Sequence, residues 1–184
     1  FQIKTYLCFF NKEHMKSKKN LILVGMMGSG KSTIGYLLSK KLNLRFVDID
    51  KYIEKETGLK INDIFEKKGE NFFRLIEEKI SLELLGLNNS VIALGGGGFI
   101  NESIRKEVLE NNISFWLNWK NITLVKRLQL SKKRPVLINL SEKDINKIIL
   151  QRSKTYSMAN HKINCEKFSK NEIIKKIVNI YNEN

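Results

Sequence analysis

Proline is nearly absent from this chain: Pro135 is the only one in 184 residues. Glycine numbers only 11, so no Pro/Gly-rich linker divides the sequence, and no repeat or low-complexity segment appears. The length fits one domain, large enough to bury a real core around a sheet. Cysteine is scarce too. Cys8 and Cys165 form no Cys-x-x-Cys pair, which excludes a disulfide framework. No apolar run approaches the roughly 18 residues of a membrane span, so no membrane partner is expected. Acidic residues are the minority, 19 against 33 basic ones, for a formal net charge of +14. A charge of that size can serve nucleic acid or an anionic surface. Here, however, the lysines are scattered along every helical stretch, and no aromatic–basic RNA-binding motif is present. Nucleic acid is therefore not the expected partner. The charge should instead raise the local concentration of small anions.

What is present is a loop built for phosphate. Residues 21–33 read Leu-Ile-Leu-Val-Gly-Met-Met-Gly-Ser-Gly-Lys-Ser-Thr, an apolar run followed by Gly25-x-x-x-x-Gly30-Lys31-Ser32. Ile34, Leu37, Leu38 and Leu42 then fall on one helical face. Strand, glycine loop and helix are the context that a Walker A motif requires. The loop must curl with its N–H groups inward, in conformations that a Cβ would forbid, and it delivers them at a helix N-terminus. Gly25, Gly28, Ser29, Gly30, Lys31, Ser32 and Thr33 are the expected ATP-binding residues. Lys31 can reach the β- and γ-phosphates, and the Ser32 hydroxyl can ligate one Mg²⁺. With ATP as ligand, a reducing cytoplasm is the expected compartment.

Taken in order, residues 1–20 read as an N-terminal extension, expected to be poorly ordered, with Met15 as a candidate start. Neither a signal peptide nor a transit peptide fits the stretch. A single domain is expected over 21–184. Residues 45–50 predict a strand ending in two carboxylates. Helices follow over 52–57, stopped by Gly58, and around 61–65, closed by Gly69. A longer helix should bury Phe72 or Phe73, Ile76, Ile80, Leu84 and Leu87. Residues 91–94 form a buried strand running into Gly95-Gly96-Gly97-Gly98, and Asn101 caps a helix to about Asn111. A strand over 113–117, helices over 121–130 and 142–156, a strand near 161–165 and a closing helix complete the chain. That helix turns Ile173, Ile174, Ile177 and Ile180 inward. Five strands alternating with helices predict an α/β fold, a three-layer α/β/α sandwich with a five-stranded parallel sheet. Ligands in such sheets sit beyond the carboxyl ends of the strands, which puts the phosphate loop, Asp48/Asp50 and the glycine run on one rim.

Two carboxylates one residue apart at a strand end suit a division of labour. One can sit near Mg²⁺, directly or through water, and the other can contact an acceptor hydroxyl. Alternatively, Asp50 merely caps the next helix. Arg74, with Glu77 and Glu78 three and four residues on, reads on sequence alone as a structural ion pair. The four glycines permit close approach of a ligand to backbone, more than a tight strand-to-helix connection requires.

These residues carry a resemblance. Gly25–Thr33, Phe46-x-Asp48-x-Asp50, Gly69-Glu70-x-x-Phe73-Arg74-x-x-Glu77, Gly95-Gly96-Gly97, Arg134-Pro135 and Arg152-x-x-x-Tyr156 together resemble the ordered motif set of shikimate kinases. The resemblance runs from about Leu21 to the C-terminus. It implies a P-loop fold like that of nucleoside monophosphate kinases, a substrate-binding region about 49–80 and a lid about 129–140. It also implies ATP-dependent phosphorylation of the 3-hydroxyl of shikimate by a monomer. By motif position Asp50 would orient the acceptor hydroxyl, while Arg74 and Arg152 hold the substrate carboxylate. The backbone of Gly96 and Gly97 would line the same pocket, and Glu77 would orient the substrate-binding arginine. Lys31, Asp50 and Arg134 would be the catalytic groups, with Asp48 holding Mg²⁺ through water. Arg134 would ride on the lid and Arg127 would lie near the adenine. The chain departs from the family pattern after Arg152, where Ser153-Lys154-Thr155 replaces a segment that usually contains a proline. Three alternatives stand beside this reading: another small-molecule kinase such as a gluconate kinase, a non-catalytic binding module of the same fold, and a nucleic-acid-binding ATPase resting on charge alone.

Overall fold

The computed structural model describes residues 18–130 and 140–183. Strand β1 (Leu21–Val24) lies at the centre of a five-stranded, all-parallel sheet. The order is β2 (Arg45–Asp48), β3 (Ser90–Ala93), β1, β4 (Ile113–Asn118) and β5 (His161–Asn164). Continuous apolar runs appear in β1 and β3 because helices cover both faces of the sheet. Along β1 the side chains alternate: Leu21 and Leu23 enter one core with α1 (Lys31–Leu42) and α7 (Lys170–Glu183). Ile22 and Val24 enter the other. There they meet α2 (Ile49–Thr57), α3 (Ile61–Leu85), α4 (Glu102–Asn111), α5 (Asn121–Leu130) and α6 (Glu142–Tyr156). The expected three layers are present.

Local signals set the element ends. Asn43 in the left-handed region closes α1, and Gly58, at φ 67°, ends α2. Asn101 caps α4 by accepting from Ile104 N at 3.0 Å. Ser141 and Asp144 form a capping box at the start of α6. With no proline after Arg152, α6 continues unbroken to Tyr156. Residues 18–20, which the sequence assigns to the extension, are tied into the fold. Lys18 N donates to Asn89 Oδ1, and buried Asn20 bonds Leu85 O, Leu87 O and Asn112 while accepting from Ser90 N.

Several sequence expectations are corrected. β2 stops at Asp48, not Asp50, because Asp48 caps α2, its Oδ1 accepting from Lys51 N at 3.2 Å. Asp50 therefore belongs to the first turn of a helix, and the capping role considered for it falls to its neighbour. The break at Gly69 is as expected: at φ 82° and ψ 167° it is non-helical and separates the two helical segments of α3. Phe73 is buried whereas Phe72 is exposed. Leu37, expected inward, lies at the surface because α1 turns Ile34, Gly35 and Leu38 to the sheet. Gly35 is tightly packed there: an added Cβ would lie 2.6 Å from Phe46 Cε2, so the ring would have to shift. Ile180 is only half-buried.

Candidate active site

The phosphate loop leaves β1 at Gly25 and enters α1 at Lys31, with Gly25, Gly28 and Gly30 at φ 142°, 77° and 92°. These angles confirm the strained curl that the glycine spacing predicts. Lys31 is buried over the loop, its Nζ donating to Gly25 O at 2.7 Å and Met26 O at 3.0 Å. Ser32 and Thr33 occupy the exposed start of α1. The Ser29 hydroxyl is buried and lacks a hydrogen-bond partner among the described residues, a polar atom that a bound group can satisfy. The outward carbonyls of the loop are held from α5 and the loop before it. Trp119 Nε1 donates to Ser29 O at 2.9 Å, and Arg127 Nη1 to Gly28 O at 3.3 Å. The Arg127 guanidinium lies 3.8 Å from the centre of the Trp119 ring.

Beside the loop, Asp50 from α2, Arg74 from α3, Gly96 and Gly97 after β3, and Arg152 from α6 line one cavity. Met27 of the glycine loop also lines it, and Ile61, Phe65 and Phe73 make an apolar wall. Arg74 is held from two directions. Its Nη1 donates to Glu77 Oε2 at 2.6 Å, and its Nε and Nη2 donate to Glu70 Oε1 at 3.2 and 2.9 Å. Burial alone would pull the guanidinium down, but Glu77 and Glu70 outweigh it and raise its pKa. Glu77 is only 2% exposed. Burial pushes its carboxyl above the ordinary value; the Arg74 charge opposes this and Asp50 adds to it.

Three of the four glycines of the run are closely approached by their neighbours. An added Cβ at Gly95 would collide with Glu77 Oε1 and lie 2.8 Å from Asp50 Oδ1. At Gly96 it would lie 3.1 Å from the backbone nitrogen of Met27. At Gly97 it would overlap Arg74, 2.8 Å from Cζ. Arg152 Nη1 donates to Gly96 O at 3.3 Å, so the departure from the family pattern after it does not displace it from the rim.

The structure thus brings together Asp50, Arg74, Gly96, Gly97 and Arg152, and separately gathers Gly28, Ser29, Lys31 and Arg127 on the adjoining loop. Asp48 does not line the cavity but caps α2. Arg134 and most of the expected lid lie outside the described residues. Sequence reasoning missed Trp119, whose position after β4 gives no local sign of its contact 90 residues away. It also missed the apolar wall: residues 61–65 read only as a short helix, and Phe73 as part of a buried face. Among the described residues, no helix is long and apolar enough to cross a membrane.

A model of the shikimate kinase family matches residues 27–182. A shikimate kinase of Persephonella marina is 43% identical over 161 residues, covering 87% of this chain and 97% of that protein. The solved structure of shikimate kinase from Acinetobacter baumannii in complex with shikimate has a TM-score of 0.85 at 30% identity, covering 90% of this chain and 94% of that one. A gluconokinase from Sinorhizobium meliloti covers 92% of this chain and 94% of its own, but at 12% identity and a TM-score of 0.53 it shares the fold alone. Matched along most of its length in sequence and in structure, this chain belongs to the shikimate kinase family.

Proposed function

We propose that the protein transfers the γ-phosphoryl group of ATP to the 3-hydroxyl of shikimate. The observation that carries this reading is the cavity beside the phosphate loop. Two guanidinium groups and the carboxyl groups of Asp50 and Glu77 converge there on a glycine backbone, beside a wall of Ile61, Phe65 and Phe73. A carboxylate ligand suits the arginine forks. The apolar wall suits the carbon ring of a cyclic acid better than the open polyol chain of gluconate, which would leave hydroxyls unsatisfied there.

The loop amides and the N-terminus of α1 hold the phosphates, and Lys31 neutralises charge on the transferring group. Asp50 accepts the hydrogen bond of the 3-hydroxyl and orients it towards the γ-phosphorus. Arg74 and Arg152 pin the carboxylate at the far end, with the Gly96–Gly97 backbone between them. The transition state of phosphoryl transfer is loose, so positioning and charge neutralisation carry most of the catalysis. The described residues contain no group of three or more His, Cys, Asp or Glu side chains that could hold a metal. The Ser32 hydroxyl at the exposed start of α1 and the Asp48 carboxylate are hard oxygen donors that fit a magnesium ion, which keeps phosphate and water oxygens and needs few protein ligands. Ser32, with Asp48 through water, would hold one ion, which when bound neutralises charge on the β- and γ-phosphates. Arg127 on its Trp119 support would face the adenine, and Arg134 on the 129–140 lid would close over ATP. By family resemblance the enzyme acts as a monomer, and ATP as co-substrate supports a cytoplasmic setting.

An assay coupling ADP release to shikimate, gluconate and other hydroxy acids tests the reading. Turnover should depend on shikimate and Mg²⁺. Absence of shikimate-dependent turnover, or a preference for gluconate, refutes it.

A further inference from the structure

Tyr156 is almost completely buried, yet its hydroxyl points at the rim of the cavity. It donates to Gly96 O at 2.5 Å, the same carbonyl that accepts from Arg152 Nη1 at 3.3 Å. Arg152 and Tyr156 are one turn apart on α6, so both face the glycine run. The hydroxyl also lies 4.0 Å from the sulfur of Met26, and Met26 O is one of the two carbonyls that hold Lys31.

The peptide between Gly96 and Gly97 is flanked by residues without a Cβ, which leaves it free to rotate unless something holds it. A carbonyl oxygen has two lone pairs, and here two donors occupy them. Because a trans peptide is planar, fixing the Gly96 carbonyl also fixes the direction of the Gly97 N–H on the opposite edge. When a carboxylate ligand draws on the donors of Arg152, the tyrosine is the remaining tie on that carbonyl. We infer that Tyr156 is a positioning residue of the acid-binding pocket: its hydroxyl locks the Gly96–Gly97 peptide and, through the shared carbonyl, the placement of Arg152. The inference rests on the proposed kinase activity and adds a residue to its carboxylate site. Burial pushes the phenol up to about 12, so the hydroxyl stays a donor at every working pH.

Tyr156→Phe keeps the ring, which lies 6.2 Å from that of Trp116, and removes only the oxygen. Steady-state kinetics should show the KM for shikimate raised about fivefold, the loss of one buried neutral hydrogen bond. The kcat and the KM for ATP should stay within about twofold of the wild type. With shikimate methyl ester, which lacks the carboxylate, the variant should match the wild type. An equal loss with acid and ester, an unchanged KM for shikimate, or a matching rise in the KM for ATP overturns the role. A wild-type protein inactive on shikimate overturns the kinase reading and this one with it, whereas an active wild type with an unaffected variant overturns the tyrosine alone.

Discussion

Replacing Gly97 by alanine should weaken shikimate binding selectively, without touching any group proposed to contact ATP. Gly97 sits at φ −102° and ψ −16°, a conformation open to alanine, so the backbone imposes no strain. The new Cβ would overlap the guanidinium of Arg74, 2.8 Å from Cζ and 3.0 Å from Nη2. The guanidinium is the end of a flexible side chain and can swing away, so the fold should survive. Swinging away, however, breaks its 2.6 Å bond to Glu77 and takes the fork off the cavity. The loss is that of charge-assisted hydrogen bonds to the substrate carboxylate, about 1.5–3 kcal/mol. That corresponds to a dissociation constant raised about 10- to 150-fold. Calorimetric titration with shikimate in the absence of nucleotide reads the effect, and titration with ATP gives the control. Gly96→Ala provides the contrast: its Cβ would meet the backbone nitrogen of Met27 at 3.1 Å, an atom of the phosphate loop that cannot swing aside. It should therefore weaken ATP as well as shikimate. If Gly97→Ala leaves shikimate affinity unchanged, or reduces ATP affinity as much, Arg74 is not the carboxylate clamp.

Glu77 supplies a pH signature. Its folded-state pKa lies above the ordinary 4.5, chiefly through burial, so the folded protein keeps this proton to higher pH than the unfolded chain. Its contribution to stability is therefore greatest below that ordinary value, falls as pH rises towards the raised folded value, and stays low above it. Glu77→Gln should abolish this part of the decline, seen as a flatter dependence of urea midpoint on pH above 4.5; an unchanged slope would contradict the buried, raised carboxyl. Cys165 offers a second test. It is fully buried, its Sγ lies 3.3 Å from Ile163 O, and burial pushes the thiol up to about 12. In a Cys8→Ser background a thiol reagent should react only at the rate of global unfolding. Fast stoichiometric labelling of the folded protein would show that the end of β5 is open.

The two proposed substrate sites were unequally legible in the chain. The phosphate loop is local: glycine spacing, the preceding apolar strand and the following helix lie within one short segment, and the backbone angles at Gly25, Gly28 and Gly30 follow from it. The acid site is assembled from four distant segments. Residue chemistry alone left Arg74 as an i,i+3 ion pair, and that pair exists, with Glu77. Only the family resemblance pointed further, and the fold then set Arg74 against Gly97 and Arg152 against Gly96, 56 residues away.

What the sequence by itself determined was the order of strands and helices, the phosphate loop and the parallel sheet. These depend on periodicity, glycine and capping signals that act over a few residues. What only tertiary structure decided was which member of a similar pair does which job. Pairing of Asp48 with Ala93 at the end of the sheet left Asp48 to cap α2 and turned Asp50 into the cavity. Packing chose Phe73 over Phe72 and left Leu37 at the surface. The hold of Trp119 on Ser29 O, and of Tyr156 on Gly96 O, likewise comes from contacts between segments far apart in the chain. Side-chain type sets what such a contact can be worth, but long-range packing decides whether it is made.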